Sequence, residues 1–295
     1  MRRGANLVSV QWLAPRLSRV QVVEATWFLP AIHGARNAQA EFLQSRIPGA
    51  VAFDLDQLSD PNETELPHML APPDWFKSRM EDLGLFSDLP LVVYDRIGQF
   101  SAPRAWWNLK LYGAAHILLL DGGLPQWLKA GMPFATGPVP TPEKKGKWML
   151  PSSASIQRGV KHLEQVEQFV KDGGQPGVVL LDARASGRFN GVDPEPRPGL
   201  RPGHIPHSLS LPFGELLNPD ATFKSDKDLT DAFTRAGVFA GNSRPKEVIC
   251  TCGSGTTAGI LSFALQNFFD MEALVAFYMR CVCSCFFVAA GEVFV

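Results

Sequence analysis

Cys252 lies in the stretch KEVICTCGSGTTAG, residues 246–259, where a β-branched run gives way to small residues and then to a helix-forming sequence. A strand ending at Thr251 and a helix starting near Thr257 leave Gly253, Ser254, Gly255 and Thr256 to wrap around the sulfur. Glycines permit the positive-φ turns that aim successive backbone N–H groups inward, and such a nest, backed by a helix N-terminus, favours negative charge. Both effects stabilise thiolate over thiol, so this corner is the seat of a nucleophile. The competing description, a buried and inert cysteine at a strand end, suits Cys250 better than Cys252.

Two thiolate chemistries fit poorly. Cysteine phosphatases clamp phosphate with an arginine six residues after the cysteine, and that position here is Ala258. Papain-like hydrolysis needs a histidine base, and none neighbours the loop in sequence, so it has to arrive from elsewhere in the chain.

The elements that position this corner follow from the apolar pattern. LPLVVYD precedes APRAWWNLKLYG and AHILLLDGG, while GVVLLDAR and KEVICTC flank DLTDAFTRAG and precede TAGILSFALQNFF. Short apolar runs alternating with helical stretches predict an α/β fold, with parallel sheets covered by helices on both faces. The chain also repeats itself: SRIPGAVAFDLDQL (45–58) answers GHIPHSLSLPFGEL (203–216), and LPLVVYDRIGQFSAPRAWW answers PKEVICTCGSGTTAGILSF. Where the second half has Cys252, the first has Asp95, so one corner carries a thiol and the other does not.

With 295 residues and 45% hydrophobic content, the chain can build two cores. A net charge of −1 leaves no broad basic face, which argues against direct nucleic-acid binding and for a small or proteinaceous partner. All five cysteines fall in the last fifth of a chain far larger than a disulfide scaffold, pointing to a reducing compartment. The start, MRRGANLVSVQWLAPRL, faintly resembles a mitochondrial presequence, but Val8, Trp12, Leu13 and Leu17 recur at helical spacing and predict a first amphipathic helix. The apolar end is broken by Arg280 and Glu292, and no membrane crossing is expected.

The tandem repeat, together with LLDARASGRF, EPRPGLRPGHIP, FDLDQLSD, LPHML, SAPRAWW, LLDGGLPQW and CGSGTTA, resembles the two-domain rhodanese family, and within it the 3-mercaptopyruvate sulfurtransferases. The resemblance implies two tandem rhodanese-like domains: residues 6–137, non-catalytic; a linker, 138–155, rich in proline and lysine; and residues 156–295, catalytic. It implies that Cys252 takes sulfane sulfur from a small-molecule donor, becomes a persulfide and passes the sulfur to a thiol, cyanide or protein acceptor. Thioredoxin-like acceptors and a sulfur relay towards tRNA thiolation are expectations from the family, as is a mitochondrial or cytoplasmic location. No cofactor and no metal are expected.

Arg188 in GRF and Arg197 in EPR match the family's substrate-clamping arginines, and a guanidinium fork suits a planar α-keto acid. The loop residues Gly253, Gly255, Thr256 and Thr257 are expected to cradle the substrate beside Cys252. Gly253 and Ser254 leave the loop uncharged, which suits mercaptopyruvate better than doubly negative thiosulfate. A proton-handling triad of Ser254, His68 in LPHML and Asp56 in FDLDQ is implied as well, because a histidine oriented by a carboxylate can take a donor thiol's proton through a hydroxyl. Arg184 is read as the partner of Asp182 in a structural ion pair, and His204 as architectural. His33, His116, His162 and His207 carry no signal.

The resemblance stops at Tyr278. The first half continues ILLLDGGLPQWLKAG, a strand, a turn and a tryptophan-bearing helix, whereas the second ends MRCVCSCFFVAAGEVFV. A changed reading frame or retained intron accounts for this; a tail in which Cys281, Cys283 and Cys285 share one face and bind a soft metal or acyl chains is the alternative. Loss of a closing helix leaves open a non-catalytic rhodanese-like relay or binding module beside the enzyme reading.

Overall fold

The computed structural model describes residues 4–63, 66–196, 200–239, 243–276, 287–289 and 292–294. The chain forms two compact units, residues 1–156 with 219–223 and residues 157–218 with 224–295.

The first unit is built on an all-parallel sheet of β1 (Leu7–Val8), β2 (Gln21–Glu24), β3 (Ala50–Ala52), β4 (Leu91–Tyr94) and β5 (Ile117–Leu120), ordered β1-β5-β4-β2-β3. Strand β4 reads LVVY and is buried at every position, as befits a central strand covered on both faces. The second unit repeats the plan with β6 (Val160–Lys161), β7 (Val178–Asp182), β8 (Ser208–Ser210), β9 (Glu247–Thr251) and β10 (Ala273–Ala276), ordered β6-β10-β9-β7-β8. The sequence repeat is therefore a repeat of the same strand permutation.

This order fixes where chemistry can sit. From β7 the chain crosses to one side, to β8, and from β9 to the other, to β10, so the adjacent carboxyl ends of β7 and β9 flank a topological switch point. Arg184 follows the first of these strands and Cys252 the second. The helix behind Cys252, Ala258–Phe269, is apolar on nearly every side and buried at eleven of its positions, which anchors the corner to the core.

Two sequence expectations change. The first amphipathic helix is shorter than its spacing predicts: Val8 belongs to edge strand β1, paired with Leu120, and only Val10–Leu13 forms α-helix, capped by the Ser9 side chain, before a 3-10 stretch Ala14–Arg19 that carries a proline at its start. Residues 138–155 belong to the first unit. There Trp148 is fully buried, its ring 6.0 Å from that of Phe76 and its indole N–H donating to the Tyr112 carbonyl at 2.8 Å.

The end of the chain differs between the two units. In the first unit β5 leads into the helix Gly123–Lys129, whose Trp127 is fully buried. Among the described residues no helix follows β10; Phe287–Ala289 instead pairs antiparallel with Glu292–Phe294. Tyr278, Cys281, Cys283, Cys285 and the predicted substrate ligand Arg197 lie outside the described residues. No helix among the described residues is long and apolar enough to cross a membrane.

Candidate active site

Strand β9 ends at Thr251, Thr257 is the N-cap residue of the following helix, and the loop between them adopts φ of 80° at Gly255, where a side chain would be strained. Cys252 is 6% exposed; Gly255 and Thr256 are buried, while Gly253, Ser254 and Thr257 are half-buried. The Ser254 and Thr256 hydroxyls lie 3.1 Å apart. Cys250 is wholly buried, and burial pushes its thiol well above its ordinary range, keeping it protonated and inert.

The equivalent corner of the first unit reveals what such a loop can hold. There the Asp95 carboxylate, fully buried, accepts hydrogen bonds from five consecutive-turn amides: Ile97 at 2.9 Å, Gly98 at 2.6 Å, Phe100 at 2.8 Å, Ser101 at 2.9 Å and Ala102 at 2.8 Å. The strand-to-helix corner of the first unit is thus an anion nest, filled by its own side chain. In the second unit the residue after the strand is a cysteine.

Two arginines serve the second corner. Arg184 is buried and forms the ion pair with Asp182 that the sequence suggests, at 2.6 Å, and also donates to Glu195 at 2.9 Å and to the Gly203 carbonyl at 2.7 Å. Burial opposes its charge, but Asp182, Glu195 and Cys252 together outweigh burial and hold its pKa above the ordinary value. Arg188 donates twice to Glu195, at 3.3 Å and 2.5 Å, and its Nη2 lies 3.5 Å from where a Cβ on Gly253 would stand. The guanidinium of Arg188 therefore borders the cysteine loop, steered there by a carboxylate that is itself 3% exposed.

The first unit brings two further sequence candidates together. His68 Nε2 lies 2.8 Å from Asp56 Oδ1, with the imidazole buried and the carboxylate largely exposed. Trp27 locks this pair: its indole N–H donates to Asp56 Oδ2 at 3.2 Å, and its ring meets the imidazole edge-on with centroids 4.7 Å apart. His68 holds φ of 61°, a left-handed conformation costly for a residue with a Cβ, and buried Arg104 secures it by donating to the His68 carbonyl at 2.7 Å. His204, by contrast, stacks on Phe189 at 3.8 Å and bonds its carbonyl, an architectural placement. Glu195 and Trp27 escape sequence reading, since neither forms part of a reactive pattern until the chain folds.

The rhodanese-like domain family matches residues 25–130, the half that carries Asp95. Over the whole chain, the 3-mercaptopyruvate sulfurtransferase of Escherichia coli is 36% identical across 262 residues, covering 88% of this chain and 88% of the relative. The chain belongs to the rhodanese family. This rhodanese is a sulfurtransferase, the enzyme class of its relatives. A plant relative, named thiosulfate/3-mercaptopyruvate sulfurtransferase 1, mitochondrial, from Arabidopsis thaliana, is 33% identical across 279 residues, covering 88% of this rhodanese and 71% of the relative. Among solved structures, SseA from Escherichia coli, described with the rhodanese fold of 3-mercaptopyruvate sulfotransferases, superposes with a TM-score of 0.79 at 32% identity, covering 92% of this rhodanese and 97% of SseA.

Proposed function

We propose that this rhodanese moves sulfane sulfur from 3-mercaptopyruvate, through a persulfide on Cys252, to a thiol, cyanide or protein acceptor. The observation that carries the reading is the guanidinium of Arg188 at the cysteine loop, bordering Gly253 and held by Glu195, the same carboxylate that holds Arg184. In this account the Cys252 thiolate attacks the donor sulfur, an S–S bond forms, and the C–S bond breaks with its electron pair going to the carbon, leaving the enolate of pyruvate. Loop amides from Gly253 to Thr257 and the guanidinium of Arg188 stabilise the charge that develops, with Arg197 assigned the same role from the family pattern. Ser254, His68 and Asp56 handle the donor thiol's proton, which ends on the enolate carbon to give pyruvate. An acceptor thiolate or cyanide then attacks the outer sulfur and releases Cys252.

The uncharged Gly253 and Ser254 favour a keto-acid donor over thiosulfate. Thioredoxin-like acceptors, a relay to tRNA thiolation and a mitochondrial or cytoplasmic location remain part of the proposal as expectations from the family, and a relative named mitochondrial supports the first of the two locations. A second reading, a non-catalytic relay or binding module, is favoured by the antiparallel pair that follows β10 in sequence, whereas in the first unit β5 is followed by the Trp127 helix. Thiocyanate formation from cyanide with each donor decides between them: turnover with mercaptopyruvate exceeding that with thiosulfate supports the proposal, and a cooperatively folded protein that forms none with either supports the module.

A further inference from the structure

The first unit contains a cavity of about 570 Å³ at the amino ends of β4 and β5, the opposite ends of those strands from the Asp95 corner. Among the described residues its wall carries three cationic side chains, Arg16, Arg19 and Lys110, with His116 beside them, and no carboxylate. They come from two segments far apart in sequence: the 3-10 stretch that follows the first helical turn, and the end of the helix Ala102–Leu111 with the approach to β5. All four are solvent-exposed. The whole chain balances 28 Lys and Arg against 29 Asp and Glu, so this concentration of one sign is local.

Gathering like charges around a concave surface raises the potential inside it, and a bound anion relieves their repulsion. Two indoles brace the cations. The Arg16 guanidinium lies 4.8 Å from the ring centre of Trp12, and the Lys110 ammonium lies 5.2 Å from that of Trp106, whose N–H is tied to the Ile117 carbonyl at 3.1 Å. Arginine forks match phosphate oxygens bidentately, and a lysine adds a point charge. The volume exceeds what inorganic phosphate or pyrophosphate fills and falls in the range of roughly 300–1,000 Å³ that holds small organic ligands. Half-buried Trp12 supplies a ring edge for the apolar part.

We infer that this cavity binds a small organic di- or triphosphate, its phosphates on Arg16, Arg19 and Lys110 and its ring system against Trp12. The site is independent of the sulfur-transfer chemistry and uses none of its residues. Calorimetric titration of the full chain with ADP, pyrophosphate and adenosine tests it. The expected result is ADP binding with Kd on the order of 10–500 μM, competition by pyrophosphate at lower affinity, and adenosine weaker than ADP by more than tenfold. Arg19→Glu and Lys110→Glu are each expected to weaken ADP at least tenfold, with unchanged melting behaviour and unchanged thiocyanate formation, while Arg19→Lys keeps most of the affinity. Absence of ADP binding at millimolar concentration, ADP binding no tighter than pyrophosphate, or ADP binding indifferent to both charge reversals would overturn the proposal.

Discussion

Glu195 accepts the Nη2 hydrogen of Arg188 at 2.5 Å while its other oxygen accepts from Arg184, so one buried carboxylate sets the position of both arginines at the cysteine corner. Arg184 has a second carboxylate in Asp182, but among the described residues Glu195 is the carboxylate that orients Arg188.

Glu195→Gln is accordingly expected to lower kcat/KM for 3-mercaptopyruvate by about 10- to 100-fold, most of it in KM, because the guanidinium remains present but loses its charge-assisted anchor. Glu195→Ala, which leaves Arg188 without its carboxylate and Arg184 with Asp182 alone, is expected to cost about 1–3 kcal/mol of stability as well. Steady-state kinetics alongside urea unfolding separates the two. A Gln variant with unaltered KM and kcat contradicts the positioning role.

The Asp56–His68 pair makes a different prediction. His68→Asn is expected to reduce turnover with mercaptopyruvate by about 10²- to 10⁴-fold, the usual worth of general acid–base catalysis. Asp56→Asn, which leaves the imidazole in place but removes the charge that orients it, is expected to fall less and to move the acidic limb of the pH–rate profile. Equal rates for wild type and His68→Asn across the pH range would remove the histidine from the mechanism.

The elements of both units are legible in the sequence because their signals are local. LPLVVYD, GVVLLDAR and KEVICTC are continuous apolar runs ending in turn residues, and they are β4, β7 and β9. The corner at Cys252 is legible for the same reason, since strand end, small-residue loop and helix start are contiguous. What the sequence conceals depends on distant partners. Leu7–Val8 is a strand only because Leu119 and Leu120 offer it an edge, and Trp148 is core only because Phe76 and Tyr112 surround it. Glu195, in the proline-rich DPEPRPG, reads as a solvated loop charge until two arginines from elsewhere in the unit converge on it.

Glu24 gives the first unit a pH dependence. Burial raises its pKa above the ordinary 4.5 against the opposing effects of Arg96, Tyr94 and Thr26. The folded chain thus holds this proton more tightly than the unfolded chain, so ionisation costs stability as pH rises from 4.5 through the raised value, and the cost is constant above it. The stability of wild type relative to Glu24→Gln is expected to fall over that window in urea unfolding series. A relative stability that climbs with pH would contradict the assignment.

Trp127 illustrates what a closing helix contributes after the fifth strand. Trp127→Ala removes a fully buried indole whose N–H also reaches the Pro133 carbonyl at 2.8 Å, and is expected to destabilise the first unit by about 3–5 kcal/mol. Thermal unfolding measures this directly, and a loss below about 1 kcal/mol would show that the helix does not close the core.

The account turns on Cys252 carrying the transferred sulfur. Mass spectrometry of the protein after brief exposure to 3-mercaptopyruvate, without acceptor, is the most direct test. The account predicts a gain of one sulfur atom, about 32 Da, on the peptide containing Cys252, removed by cyanide with release of thiocyanate and absent in Cys252→Ser. A folded protein that turns over mercaptopyruvate without that adduct, or one that carries it on Cys250 or a cysteine of the C-terminal segment, would contradict it.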